Sequence, residues 1–319
     1  MQEVKYTKYL QFPLSQIREM FYNQKTVMND IMDVGICRFA QKLPCDILDV
    51  CRPLLYDFCR HPEKLPTTLK KQVKGFINQE LIGTLDDVNF DQELIGSEAA
   101  SMADQFTKDA PELLPLVYDY SRVHKAMGTL GIKGNTGSIL EHGRQIAAAA
   151  LPGEPWPMIS KNLAFEFRDN EKTEFDLAQL AGYIGIRSIL GKKPYCKTNK
   201  NMILARMFGY STFMQLQTAD TDSYTYDLVK KYSSRYWMGK VLQALELNWK
   251  ILIEGKGLRG LYVGQGNKIE LGSFILAVET RKQRRKINEL KQRKEEARES
   301  ALQQLNKEHP LNKAVTWNQ

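Results

Sequence analysis

The feature that most restricts this chain is the segment Leu151-Pro-Gly-Glu-Pro-Trp-Pro157. Three prolines in six residues can neither continue a helix nor sit in a central strand, because each lacks an amide donor and fixes φ. The segment follows the small-residue run Ala147 to Ala150, so it places a domain junction near residues 151–158. A chain of 319 residues has room for about two domains, one on either side of such a break.

Charge divides along the same line. Residues 1–158 carry a net charge of −3, residues 159–270 one of +6, and residues 271–319 one of +5. All the excess positive charge lies after the junction, which points to a polyanionic partner, because neutralised phosphates release counterions. A content of 43% hydrophobic and 26% charged residues argues against disorder over most of the chain. The longest uncharged apolar stretches, such as Leu271 to Val278, fall short of the ~20 residues a membrane span requires. Glu3, Lys5 and Lys8 leave no apolar leader, so a cytoplasmic protein with no membrane contact is expected. Cys37, Cys45, Cys51 and Cys59 are 8, 6 and 8 residues apart, with Cys196 far away. Without a C-x-x-C pair they read as reduced, mostly buried thiols.

Before the junction the pattern is helical, with Leu14, Ile17 and Phe21, then Val27, Ile31, Val34 and Phe39, at three- to five-residue spacing. Leu48, Cys51, Leu55 and Cys59 continue it until Pro62 and Pro66. From Asp86 to Asp119 nine acidic residues face Lys108 alone, a solvated surface that repels DNA. Gly128, Gly131, Gly134 and Gly137 in GTLGIKGNTGS lack the Gly-Lys-Ser/Thr ending of a phosphate loop and read as a connection rich in positive φ.

After the junction, Leu163, Phe165 and Phe167 alternate with Ala164, Glu166 and Arg168, which predicts a short strand. Thr173 with Asp176 starts a helix that Gly191 ends, and the basic loop Lys192 to Lys197 follows. Thr198 is the expected cap of a helix ending at Phe208, Gly209 makes a sharp turn, and Ser211 is the expected cap of another short helix. Met238, Val241, Leu242, Leu245 and Trp249 form a regular helical stripe with Arg235, Tyr236, Gly239, Lys240 and Gln243 on the opposite side. Ile251 to Glu254 and Leu261 to Gly264 then flank a glycine-rich loop, a β-hairpin whose tip presents Lys256 and Arg259. Glu279 to His309 is a long helical pattern without Gly or Pro that opens on Arg281, Lys282, Arg284 and Arg285.

The order strand, helices, long amphipathic helix and basic-tipped hairpin over residues 161–264 resembles the winged-helix class of DNA-binding domains, as used by plasmid and phage replication initiators and transcription regulators. The expected fold is mainly α: a helical N-terminal domain (1–150), a C-terminal winged-helix α+β domain (159–270) and a basic helical extension (271–319). The resemblance implies a recognition helix in the major groove and a wing on the backbone or minor groove. Either Ser211 to Leu216 or Ser234 to Asn248 could fill the first role, and the second leads directly into the hairpin. Lys192, Lys193, Lys197 and Lys200 are the candidate phosphate contacts, and Arg235, Tyr236, Lys240 and Gln243 the candidate groove contacts. Lys256 and Arg259 are assigned to the wing, and Arg281, Lys282, Arg284 and Arg285 to a basic arm.

Duplex DNA is the expected partner, in replication initiation or transcriptional regulation of a mobile element or phage. The N-terminal domain is left for homodimer formation or contact with a protein partner. No cofactor or metal is expected: His61, His124, His142 and His309 lack ligand spacing. No G-x-S-x-G, H-E-x-x-H or Walker sequence indicates an enzyme. A scaffolding protein, an RNA-binding protein and a nuclease built from dispersed carboxylates are the alternatives.

Overall fold

The computed structural model describes residues 9–43, 53–54, 56–57, 60–71, 104, 107–108, 111–255 and 260–308. The positions Leu48, Cys51, Leu55 and Cys59, Cys45, most of the acidic stretch from Asp86, the hairpin tip with Lys256 and Arg259, and everything from His309 onward lie outside these. The described protein is mainly helical with small antiparallel sheets.

The described residues begin with strand β1 (Tyr9–Gln11), a 3-10 turn (Leu14–Ile17) and helix α1 (Gln24–Ala40). Val27, Ile31, Val34 and Phe39 are buried along α1 as their spacing requires, but Leu14 and Ile17 occupy the tighter turn. Helices α2 (Leu114–Leu130) and α3 (Thr136–Ala149) pack on α1. Of the four glycines between 128 and 137, only Gly131 takes a positive φ (63°), as the cap of α2. The expectation of a connection rich in such positions is corrected. Gly137 lies inside α3, where a Cβ would collide with the Lys64 carbonyl.

The proline-rich segment lies along the start of the chain. Phe12 and Leu14 donate their amides to the Pro157 and Pro155 carbonyls at 3.3 and 3.0 Å. Glu154, only 8% exposed, accepts from the Ser15 and Leu151 amides. Strand β2 (Met158–Ser160) then pairs antiparallel with β1, Leu10 opposite Ile159.

Residues 163–167 are not a strand. They belong to helix α4 (Lys161–Asp169), capped by Ser160, whose hydroxyl accepts from the Leu163 amide at 3.2 Å. A short run in which Leu163, Ala164 and Phe167 are apolar satisfies both periods, and the cap decides for the helix that buries Ala164 and Phe167.

Helix α5 (Glu174–Leu190) starts with the anticipated Thr173–Asp176 capping box. It crosses helix α6 (Lys200–Met207) and helix α9 (Arg235–Asn248) closely. A Cβ at Gly185 would meet Arg206 Cβ at 3.1 Å, and one at Gly182 would meet Val241 at 3.0 Å. Asn199, not Thr198, caps α6, because Thr198 ends strand β3 (Tyr195–Thr198). The stretch read as a basic loop is thus half strand. Thr212, not Ser211, caps the short helix α7 (Phe213–Thr218), in a box with Gln215. Asp222 caps helix α8 (Ser223–Ser233) by accepting from the Thr225 amide.

Gly209 ends α6 with φ of 76° and packs on the opening of the chain, where a Cβ would lie 3.2 Å from the Leu14 carbonyl. Phe208 stacks on Phe21 beside it, with ring centroids 5.4 Å apart. One hydrophobic cluster accordingly runs from Leu10 to Val263, on both sides of the prolines.

Strands β4 (Ile251–Glu254) and β5 (Leu261–Gln265) form the expected hairpin, and β3 adds to the far edge of β5, giving the order β3-β5-β4. Period-2 alternation separates the two faces of this sheet. Ile251, Ile253, Leu261 and Val263 join the main core, whereas Tyr195, Leu252 and Tyr262 face Phe274 and Val278. Those last two belong to helix α10 (Leu271–Glu308), which begins eight residues before the predicted Glu279 because its apolar first turns cover the sheet.

Candidate nucleic-acid interface

Helix α9 is held by its apolar stripe. Met238, Val241, Leu242 and Leu245 are buried, and Ser234 caps the helix by accepting from the Trp237 amide at 3.2 Å. The 3.6-residue repeat then puts Arg235, Tyr236, Gly239, Lys240 and Gln243 on the outward side. Across from them, the Asn199 side chain accepts from the Met202 amide at 2.8 Å and fixes the start of α6, with Lys200 as its first residue. The hairpin closes the third side through Gly255, Gly260 and Leu261.

These three elements enclose a groove of about 790 Å³ lined by Asn199, Lys200, Arg235, Tyr236, Lys240 and Gln243, with Leu242 and the hairpin base. A neighbouring recess of about 440 Å³ is lined by Lys197, Thr198, Asn199 and Gly260. The structure thus gathers five of the candidate residues into one concavity and sets Lys197 at its edge. Among the described residues no acidic side chain lines either recess.

Tyr236 is 62% exposed, and the Lys240 ammonium lies 4.5 Å from its ring centroid. Trp237 behaves differently. It is half-buried between Phe175 and Tyr232 and carries the Lys231 ammonium 4.4 Å from its ring. Lys231 is itself committed to Glu174 at 2.8 Å.

Lys192 and Lys193 are exposed before β3, at the end of the sheet away from the hairpin tip, and do not line the groove. Arg281, Lys282, Arg284 and Arg285 lie on α10, behind the sheet. Arg281 stacks 5.1 Å over the Tyr195 ring, Lys282 pairs with Glu254 at 3.3 Å and Arg285 with Glu289 at 2.8 Å. Sequence reasoning missed Asn199 and Gly260 as groove residues. The signal for Asn199 was its side-chain oxygen three residues before Met202, but Thr198 competed for the same role.

Other chemistry is sparse among the described residues. No group of three or more His, Cys, Asp or Glu side chains is arranged to hold a metal ion. Burial, helped by Asp33 and Asp119, pushes the Cys37 thiol up to about 12, so it is no thiolate nucleophile near neutral pH. A separate recess of about 520 Å³ near the glycine-rich turn holds Asp57, Lys64, His124 and Thr136, and Asp57 accepts from the Tyr120 hydroxyl at 2.6 Å. No described helix is long and apolar enough to cross a membrane. No family model, curated protein or solved structure matches the chain.

Proposed function

We propose that residues 174–265 act as a winged-helix module that binds duplex DNA. Helix α9 enters the major groove, Lys197 and Lys200 meet phosphates at the start of α6, and the hairpin tip with Lys256 and Arg259 reaches the adjacent backbone or minor groove. The observation that carries this reading is the convergence of Lys200, Arg235, Tyr236, Lys240 and Gln243 on one groove with no carboxylate among its described lining residues. The succession of α5, α6, the amphipathic α9 and then a hairpin directly after it supports the same module.

Arg235 and Gln243 are eight residues apart, about 12 Å along a helix, the span of roughly three to four base-pair steps. Arginine pairs bidentately with guanine and glutamine with adenine in the major groove, so the outward face of α9 has the chemistry to read as well as to bind. Replication initiation or transcriptional control of a mobile element or phage is the use we attach to the module, by resemblance of layout.

The test is titration of the full chain with labelled duplex DNA, single-stranded DNA and duplex RNA between about 50 and 200 mM salt. Duplex DNA binds tightest, with affinity falling linearly on a log–log salt plot. Tighter binding to RNA replaces the DNA reading, and no binding to any of the three at ~100 mM salt hands the charged face to a protein partner.

A further inference from the structure

Helix α10 runs 38 residues, and among the described residues only its first turns are covered, by Phe274 and Val278 against the sheet. Its outward side carries large apolar groups, Leu276 (65% exposed) in those first turns and Ile287 (52%) and Leu290 (58%) beyond them. Written as heptads with Ile287 at position a, the seam reads Leu276, Gln283, Leu290 and Ala297 at d, with Thr280, Ile287, Lys294 and Ala301 at a. From Thr280 onward the flanks of that seam have one sign, with Glu279 at g just before it. Arg284, Lys291 and Arg298 fall at e, and Lys286 and Arg293 at g, whereas Glu289, Glu295, Glu296 and Glu299 all fall at b, c or f.

A second copy of the chain does not fit this seam. In a parallel pair Lys286 meets Lys291 and Arg293 meets Arg298, against one opposite-sign pair, Glu279 with Arg284; in an antiparallel pair e meets e and g meets g, again cation against cation between residues 284 and 298. Duplex DNA has use for the cations but none for an apolar row between them. A lipid surface calls for a wider apolar face with aromatic anchors, and this seam has no aromatic residue and is broken by Gln283 and Lys294. We infer that α10 is a docking helix for an acidic amphipathic helix of another protein, which lays its apolar row on Ile287 and Leu290 and sets carboxylates against the flanking cations. Lys294 within the seam adds specificity, since a carboxylate on the partner's flank can pair with it.

The experiment uses the full chain and two labelled four-heptad peptides with Ile at a and Leu at d, one carrying Glu at every e and g position and the other Lys. The Glu peptide binds at least about tenfold tighter than the Lys peptide. The exposed substitutions Lys286→Glu, Lys291→Glu, Arg293→Glu and Arg298→Glu together invert that preference, and Ile287→Asp with Leu290→Asp abolishes binding of the Glu peptide. Unchanged helical circular dichroism and unchanged duplex-DNA affinity report that each variant is folded. Equal binding of the two peptides, or of neither, overturns the proposal. So does loss of duplex-DNA or phosphatidylserine-vesicle binding in the charge-reversed variant, or a homodimer in sedimentation that Ile287→Asp with Leu290→Asp dissolves.

Discussion

The groove over α9 and the start of α10 lie on opposite faces of one three-stranded sheet, and each carries a cluster of cations. In the groove, Lys200, Arg235 and Lys240 line a shared concavity with no carboxylate among its described residues. On α10, Lys282 and Arg285 each sit against a glutamate and Arg281 lies on an aromatic ring. Net charge counts the two clusters alike. What separates them is whether the positive charges meet at one place without acidic neighbours, because exposed charges beyond about 8–10 Å are largely screened at physiological salt.

The difference is broken most directly in the groove. Arg235→Ala with Lys240→Ala removes the proposed base-reading fork and a second cation from the same face. Duplex-DNA affinity is expected to fall on the order of 10- to 100-fold by fluorescence anisotropy. A loss below about threefold would mean that α9 does not face the DNA. Lys200→Ala is milder: binding weakens a few-fold on every sequence, and the slope of log affinity against log salt drops by about one.

The corresponding change behind the sheet sharpens the contrast. Arg281→Ala with Arg285→Ala also removes two positive charges, yet DNA affinity is expected to stay within about threefold, since surface pairs of this kind contribute little. If both double variants weaken DNA equally, long-range charge and not the groove governs binding, and the recognition role of α9 is lost.

How much of this contrast was readable beforehand depends on the distance over which its causes act. The α9 stripe, its Ser234 cap and the hairpin after it are local, so Met238, Val241, Leu242 and Leu245 announced which side of the helix faces out. The capping box at Thr173 and Asp176 was local too. Strand β3 was not, because Tyr195 to Thr198 become a strand only by pairing with residues more than sixty positions later. That pairing moves the helix cap from Thr198 to Asn199 and separates Lys197 and Lys200 from Lys192 and Lys193. Residues 163–167 failed for another reason: five residues satisfied both periods, and only the hydroxyl of Ser160 broke the tie. The partners of Lys282 and Arg281, Glu254 and Tyr195, lie 28 and 86 positions away, so no window of sequence shows that these charges are engaged.

Lys231 provides the finest test, because it sits beside the groove's helix yet belongs electrostatically with the paired cations. Its ammonium and the Tyr232 hydroxyl donate to Glu174 Oε1 at 2.8 and 2.7 Å. Burial pushes the Glu174 carboxyl up, but the hydrogen bonds from Lys231 and Tyr232 and the Lys231 charge outweigh it and hold the group below its ordinary value. A carboxylate depressed in the folded state stabilises the protein above its unfolded pKa, about 4.3, and that contribution is lost as pH falls through the folded value. Glu174→Gln is therefore expected to cost about 1 kcal/mol in urea unfolding at pH 7, a modest figure because the pair is about a third exposed and solvent screens it. The gap between wild type and variant should narrow as pH is lowered from about 5 towards 3. DNA affinity is expected to remain within about twofold, since freeing Lys231 adds no charge to the groove. A gap that stays constant over that window would show that Glu174 is not held ionised by its two donors. An affinity gain of tenfold would place Lys231 among the groove cations and erase the distinction drawn between engaged and convergent charge.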